Sequence, residues 1–172
     1  GNITHQIVGG SDGVPAEIFT ALRTQLGIRR SAPTLAASIR VAGQELTLLG
    51  MDLVSEASLQ RRRPGFSVEP RTLLALGFAS LGQSNAVLMS TTTAASLQLE
   101  DKQEFVLRSN AGDATALLAA TFTSLEPVAT EGLVFADIAT AQMLLKRAGT
   151  VDSIDMVLTD GQVQQVTNWL PA

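Results

Sequence analysis

Catalysis needs a nucleophile, an acid–base group or a metal-ligating set, and this chain offers few of each. Its 172 residues include one His, no Cys and no Tyr. That composition excludes disulfides, thiolate zinc sites, cysteine nucleophiles and any multi-histidine metal site. His5 is the only imidazole. A serine–histidine–aspartate site would need it held by a carboxylate and aimed at a serine. So close to the start of the chain, it reads as a surface residue. Paired carboxylates could do general acid–base work. Glu100, Asp101 and Glu104 cluster, but Lys102 sits among them and the segment reads as a turn. Asp152 and Asp155 stand three apart on an expected strand, which sends them to opposite faces. Both sets read as solvated turn or edge residues. Calcium wants about six or more oxygens, so either set would make a poor cation site.

The segment Gly9-Gly10-Ser11-Asp12-Gly13 follows a strand and opens a helix, the position of a phosphate loop. Its glycines do not fit G-x-G-x-x-G, no Gly-Lys-Ser/Thr follows, and Asp12 would repel an anion. It reads as a flexible strand-to-helix turn. No cofactor, nucleotide or metal site is expected, and no enzyme active site.

Charge is sparse. Charged residues make up 16% of the chain, against about 25% in an ordinary domain. Hydrophobic residues make up 45%, which argues against disorder. The net charge of −4 argues against a nucleic-acid partner. The one local concentration is Arg61-Arg62-Arg63, three of the 12 basic residues in a row. Two readings stay open for it: a solvated loop, or a contact for a partner protein or anionic lipid headgroups.

The elements that would carry these residues follow from periodicity. A short strand is expected over Gln6 to Val8. Ile18, Leu22 and Leu26 make one apolar helix stripe after Pro15, ended by Gly27. Leu35 to Val41 alternates as a strand, turns at Ala42-Gly43 and returns over Gln44 to Met51. A loop is expected over 54 to 70 and a helix over 71 to 81. The longest apolar stretch, Leu73 to Leu81, falls well short of the ~18 residues that span a membrane. The opening residues lack the basic and apolar regions of a signal peptide, and the abrupt start suggests a piece of a larger protein.

Ala86 to Met89 reads as a strand, and Ser90 or Thr91 as the cap of a helix reaching Leu99. Phe105 to Arg108 and Leu117 to Thr123 read as a hairpin. Leu133 to Ala136 is a strand and Asp137 the N-cap of a helix. Its buried stripe is Ile138, Ala141, Leu145 and Ala148, with Lys146 and Arg147 in the last turn. A strand over Val151 to Leu158 and a helix over Gly161 to Leu170 close the chain. Strand–helix–strand units thus stand at both ends. The expected class is α+β, with a split β-α-β, porter-like part over 1–53 and 132–172 and an inserted, smaller, β-rich part over 54–131.

The run FADIATAQMLLKRAGTVDSIDMVL resembles the MacB-type periplasmic core domain of FtsX-like ABC transporter permeases. The likeness lies in an apolar strand, an aspartate-started helix with the pair Ala141-Gln142, then Gly149, then Val151, Asp152 and Ile154 on a strand. VAGQELTLLGMD is similar to that family's hairpin returning in Leu48-Leu49-Gly50 and Asp52, and NAVLMSTTTAASLQL to its strand-then-helix segment. Glu100-Asp101-Lys102-Gln103 departs from the family's usual Gly-Asp, and Arg61 to Arg63 match no family signature.

The resemblance implies a periplasmic domain of an inner-membrane protein, set between the first two of four transmembrane helices. It implies a porter part with an inserted β-rich part, no catalytic site and no nucleotide site. It implies partnership with a cytoplasmic ATPase subunit, a second permease copy, and a periplasmic partner or cargo. ATP-driven movement of such domains, mechanotransmission, would be its work. The rival expectations are a free-standing periplasmic binding or adaptor module, and a hydrolase using His5 or a carboxylate pair.

Overall fold

The computed structural model describes residues 3–52, 84–124 and 126–171. The expected loop over 54–70, the expected helix over 71–81 and Arg61, Arg62 and Arg63 lie outside the described residues.

The described elements run β1 (His5–Val8), β2 (Val14–Pro15), α1 (Ala16–Thr24), β3 (Ser31–Val41), β4 (Gln44–Met51), β5 (Ala86–Ser90), α2 (Thr91–Ser96) and β6 (Glu104–Ser109). They continue with β7 (Gly112–Phe122), α3 (Pro127–Thr130), β8 (Leu133–Asp137), α4 (Ile138–Leu144), β9 (Thr150–Val151), β10 (Ser153–Met156) and α5 (Asp160–Trp169). Eight strands form one sheet in the order β1-β10-β3-β4-β8-β5-β7-β6, and β2 pairs separately with β9.

Strands β1 and β3 each run antiparallel to β10. They are therefore parallel to each other, joined through α1 and split by β10. Strand β8 is parallel to β4, while β4 and β10 both oppose β3. So β8 and β10 are also parallel, joined through α4 and split by β3 and β4. These are the two split β-α-β units expected from the sequence. The sheet continues without a break, since β5 opposes β8 and runs parallel to β7. At the far end β6 comes back to meet β3 at one register pair, Arg40 with Arg108.

Alternation along the strands divides the core between two faces. On the inner face Leu35, Ile39, Leu46, Leu48, Val134 and Ala136 pack with Ala141 and Leu144 of α4. Beside them Leu22 of α1 and Val166 of α5 pack on Ile154 and Met156. On the outer face a smaller cluster joins Met51, Leu88, Phe122 and Phe135. A one-residue irregularity opposite Val87 and Leu88 lets β7 change face, so that Leu118 points inward and Ala120 and Phe122 outward.

Helix α4 is shorter than its apolar stripe suggested. It ends at Leu144 with Leu145 as C-cap, and Lys146 takes a left-handed φ of 54°. The Lys146 ammonium donates to the Ala111 carbonyl at 3.2 Å and the Arg147 guanidinium to Asp152 Oδ1 at 2.5 Å, while the Arg147 backbone N–H closes the helix end on Gln142 O at 2.8 Å. Both cations have left the helix for tertiary partners, so neither sits in its last turn. The expected strand over 151–158 is likewise divided. Asp152 stands between β9 and β10, and its N–H donates to Thr34 O at 2.9 Å. Helix α2 stops at Ser96 rather than Leu99, with Gln98 at a left-handed φ of 56°.

Candidate functional site

Two hairpins set the most exposed charged arrangement. The Ala42-Gly43 turn has φ of 50° and 78°, a tight turn that puts Val41 opposite Gln44 and Arg40 opposite Glu45. The turn at Asn110-Ala111 puts Ser109 opposite Gly112 and Arg108 opposite Asp113. Because Arg40 also pairs with Arg108, four side chains share one face in the order Glu45, Arg40, Arg108, Asp113. All four are exposed. Arg108 Nε donates to Asp113 Oδ1 at 2.8 Å and Nη2 to Oδ2 at 3.4 Å. This hydrogen bond holds the Asp113 carboxyl below the ordinary aspartate value and the Arg108 guanidinium above its own. Among the described residues Arg40 makes no ion pair.

A second polar group crosses β1, β10 and β3 on the outer face. Gln6 Nε2 donates to Asp155 Oδ1 at 2.6 Å and to Ser153 Oγ at 3.2 Å. The Ser153 and Thr34 hydroxyls lie 2.7 Å apart. Asp155 is only 3% exposed. Asp152 is tied down as well, to Arg147 and to the Ala36 N–H. Asp155 is therefore buried rather than the solvated edge residue expected from the sequence, while Asp152 is tied down but stays partly exposed. Asp152 lies between two strands rather than on one, so alternation does not apply to it, and what covers each aspartate depends on strands far away in the chain.

A third group lies where β4 ends and α4 begins. The Asp137 carboxylate caps α4 by accepting the Ala139 N–H at 3.3 Å. Burial pushes its pKa up and the charge of Asp52 adds to that, while the Ala139 hydrogen bond opposes it. Arg23 approaches Asp52 at 4.0 Å.

The other expected residues are dispersed. His5 is exposed, with Nδ1 2.9 Å from its neighbour's hydroxyl on Thr4. Glu100 and Asp101 lie in an exposed turn where Lys102 has a φ of 67°. In the glycine segment Gly9 packs directly on the Gly13 backbone, and a side chain at Gly13 would meet Arg147 and Val151. That is backbone packing. Among the described residues no group of three His, Asp or Glu could hold a metal ion. The charged row escaped the sequence reading. Its two halves are legible, since each tight turn dictates one acid–arginine pair. The meeting of β3 with β6 leaves no local signal.

The fold is that of domains held outside the cytoplasmic membrane by ABC-type transporters. The periplasmic region of MacB from Actinobacillus actinomycetemcomitans superposes with a TM-score of 0.50 at 11% identity, over 94% of this chain and 72% of that one. The extracellular domain of the noncanonical ABC-type transporter YknZ from Gram-positive bacteria gives 0.51 at 9% identity, over 91% and 79%. In sequence, an uncharacterized ABC transporter permease of Mycobacterium tuberculosis is 27% identical over 179 aligned residues. That alignment takes in 100% of this chain and 20% of the permease, so the chain spans about a fifth of that relative. No protein-family profile matches the chain. Among the described residues no helix is long and apolar enough to cross a membrane.

Proposed function

We propose that this chain is an extracytoplasmic domain of an ABC transporter permease. ATP hydrolysis at a separate cytoplasmic ATPase subunit would move it, and it would act on a substrate or partner outside the membrane. The observation that carries the reading is the alignment of the whole chain with one stretch of a permease, together with the fold it shares with two transporter domains. A single sheet backed by packed helices suits such work, because a close-packed interior passes displacement on with little compression. The reading includes a porter-like part over 1–53 and 132–172, an insert over 54–131, and a second permease copy as partner. Arg61, Arg62 and Arg63 would contact the partner. The domain's contribution is mechanical and recognitional, and no chemical step is assigned to it.

The test is made in the native membrane. A periplasm-dependent phosphatase inserted at the Ala42-Gly43 turn of the full-length protein is expected to be active, and a fluorescent protein that folds only in the cytoplasm to stay dark there. A donor–acceptor pair on this domain and on its copy should change separation when ATP is added, and should not with an ATPase that cannot hydrolyse it. A cytoplasmic reporter signal, or a separation blind to ATP, overturns the reading. Replacing Arg61, Arg62 and Arg63 by Ser should weaken partner capture, and unchanged capture removes that contact.

A further inference from the structure

Arg40 and Arg108 stand directly opposite each other in an antiparallel pair. Such partners have Cβ atoms about 4.5–5.5 Å apart, and like charges placed so repel. The repulsion falls at the one register pair that joins β3 to β6. Glu45 and Asp113 flank the arginines, so the row reads minus, plus, plus, minus and carries no net charge. Asp113 engages Arg108, and Arg40 makes no ion pair among the described residues. Shallow depressions lie on both sides of the pair. One, of about 310 Å³, is lined by Ala42, Gly43, Val106 and Asp113 beside both arginines. The other, of about 220 Å³, is lined by Ser38, Glu45, Ser109 and Asn110 beside the same two. Val106 is 57% exposed.

We infer that this seam receives an acidic side chain of a partner protein. A single carboxylate lying between the two guanidinium forks would cancel their repulsion and accept hydrogen bonds from both. The row as a whole is neutral, so an anionic lipid surface spanning it meets both acids as well as both arginines, whereas one carboxylate seated between the arginines lies nearer to them than to Glu45 or Asp113. Exposed Val106 gives the seam an apolar contact beside the charges, the mixture found at protein interfaces, where arginine is enriched. The partner segment it fits is extended, with a Glu or Asp next to an apolar residue. This inference stands on the seam's own chemistry. A failed binding test would leave the transporter reading intact, and a failed topology test would leave this one intact.

The experiment titrates a short peptide of alternating Glu and Val into the chain and follows the arginine Nε resonances by NMR. A peptide of alternating Gln and Val is the control. Saturable shifts at Arg40 and Arg108 are expected with the Glu peptide alone. Arg40→Gln and Arg108→Gln should each weaken binding about tenfold, the scale of one charged hydrogen bond. Both sites are exposed, so both variants should keep the wild-type fold, checked by the remaining amide spectrum. Arg40→Lys retains charge without the fork and should also bind more weakly. Inorganic phosphate and phosphatidylglycerol vesicles should not displace the peptide. The inference is overturned by absence of saturable shifts, by equal binding of the Gln peptide or of the Gln variants, or by displacement with phosphate or vesicles.

Discussion

Arg147 Nη1 donates to Asp152 Oδ1 at 2.5 Å, and the other oxygen of the same carboxylate accepts the Ala36 N–H at 2.7 Å. One side chain thus ties the loop after α4 to strand β3, at the point where the last strand is interrupted. Asp152→Ala removes both links and leaves a backbone donor without its acceptor. The expected cost is about 1–2 kcal/mol, toward the low end because the two side chains are 40% and 29% exposed. Asp152→Asn keeps an oxygen for Ala36 and should lose less. Urea denaturation of both variants measures this. Equal losses would show that the Ala36 bond contributes nothing beyond the ion pair.

Gly50 faces Ala141 so closely that a Cβ on Gly50 would lie far inside van der Waals contact with the Ala141 methyl. Helix α4 rests on β4 at this point, and neither backbone can yield without moving the layer. Gly50→Ala should therefore destabilise by about 1–3 kcal/mol through overpacking. Adding Ala141→Gly removes the colliding methyl and should restore part of the loss. A double variant no more stable than Gly50→Ala alone would place the strain elsewhere.

Two carboxyls should titrate on opposite sides of the ordinary aspartate value of 3.8. Burial raises Asp137, so the folded chain holds that proton more tightly than the unfolded chain. Stability from this group is present at pH below 3.8 and is lost as pH rises through the higher folded value. Asp113 is lowered by its bond to Arg108, so its contribution is present above 3.8 and is lost as pH falls through the folded value. Carbon-detected NMR titration should give a higher midpoint for Asp137 than for Asp113. Asp137→Asn should remove the Asp137 contribution while an amide oxygen still caps α4. The reverse order of midpoints would refute at least one of the two assignments.

Much of the helix-bearing half was legible in the sequence because its signals are local. Asp137 caps α4 and Gly27 follows α1 with a φ of 66°, as expected from residue type. The hairpin at Ala42-Gly43 has the expected register for the same reason. What local pattern could not supply was pairing between distant strands. Asp155 looked like an edge residue because nothing nearby says that Gln6, far back in the chain, will lie beside it. Lys146 and Arg147 looked helical because spacing alone cannot see the Ala111 carbonyl or the Asp152 carboxylate that draw them away. The charged seam needed both hairpins and the β3–β6 meeting at once.

Ser90 and Thr93 form a buried capping unit whose reach extends beyond α2. The Ser90 hydroxyl accepts the Thr93 N–H at 3.1 Å and lies 2.9 Å from the Thr93 hydroxyl. The Thr93 hydroxyl in turn accepts the Gly132 N–H at 3.2 Å, just before β8. Ser90 is 3% and Thr93 1% exposed, so lost hydrogen bonds are not replaced by water at the surface. Ser90→Ala should cost about 1 kcal/mol, the usual value of an N-cap. Thr93→Val should cost more, about 1–3 kcal/mol, because it strips Gly132 of its acceptor and keeps the volume. The two share one hydrogen bond, so the double variant should lose less than the sum, by about 0.5 kcal/mol or more. Denaturant midpoints of the four proteins complete the cycle. Strict additivity would mean that the cap and the Gly132 tether act independently.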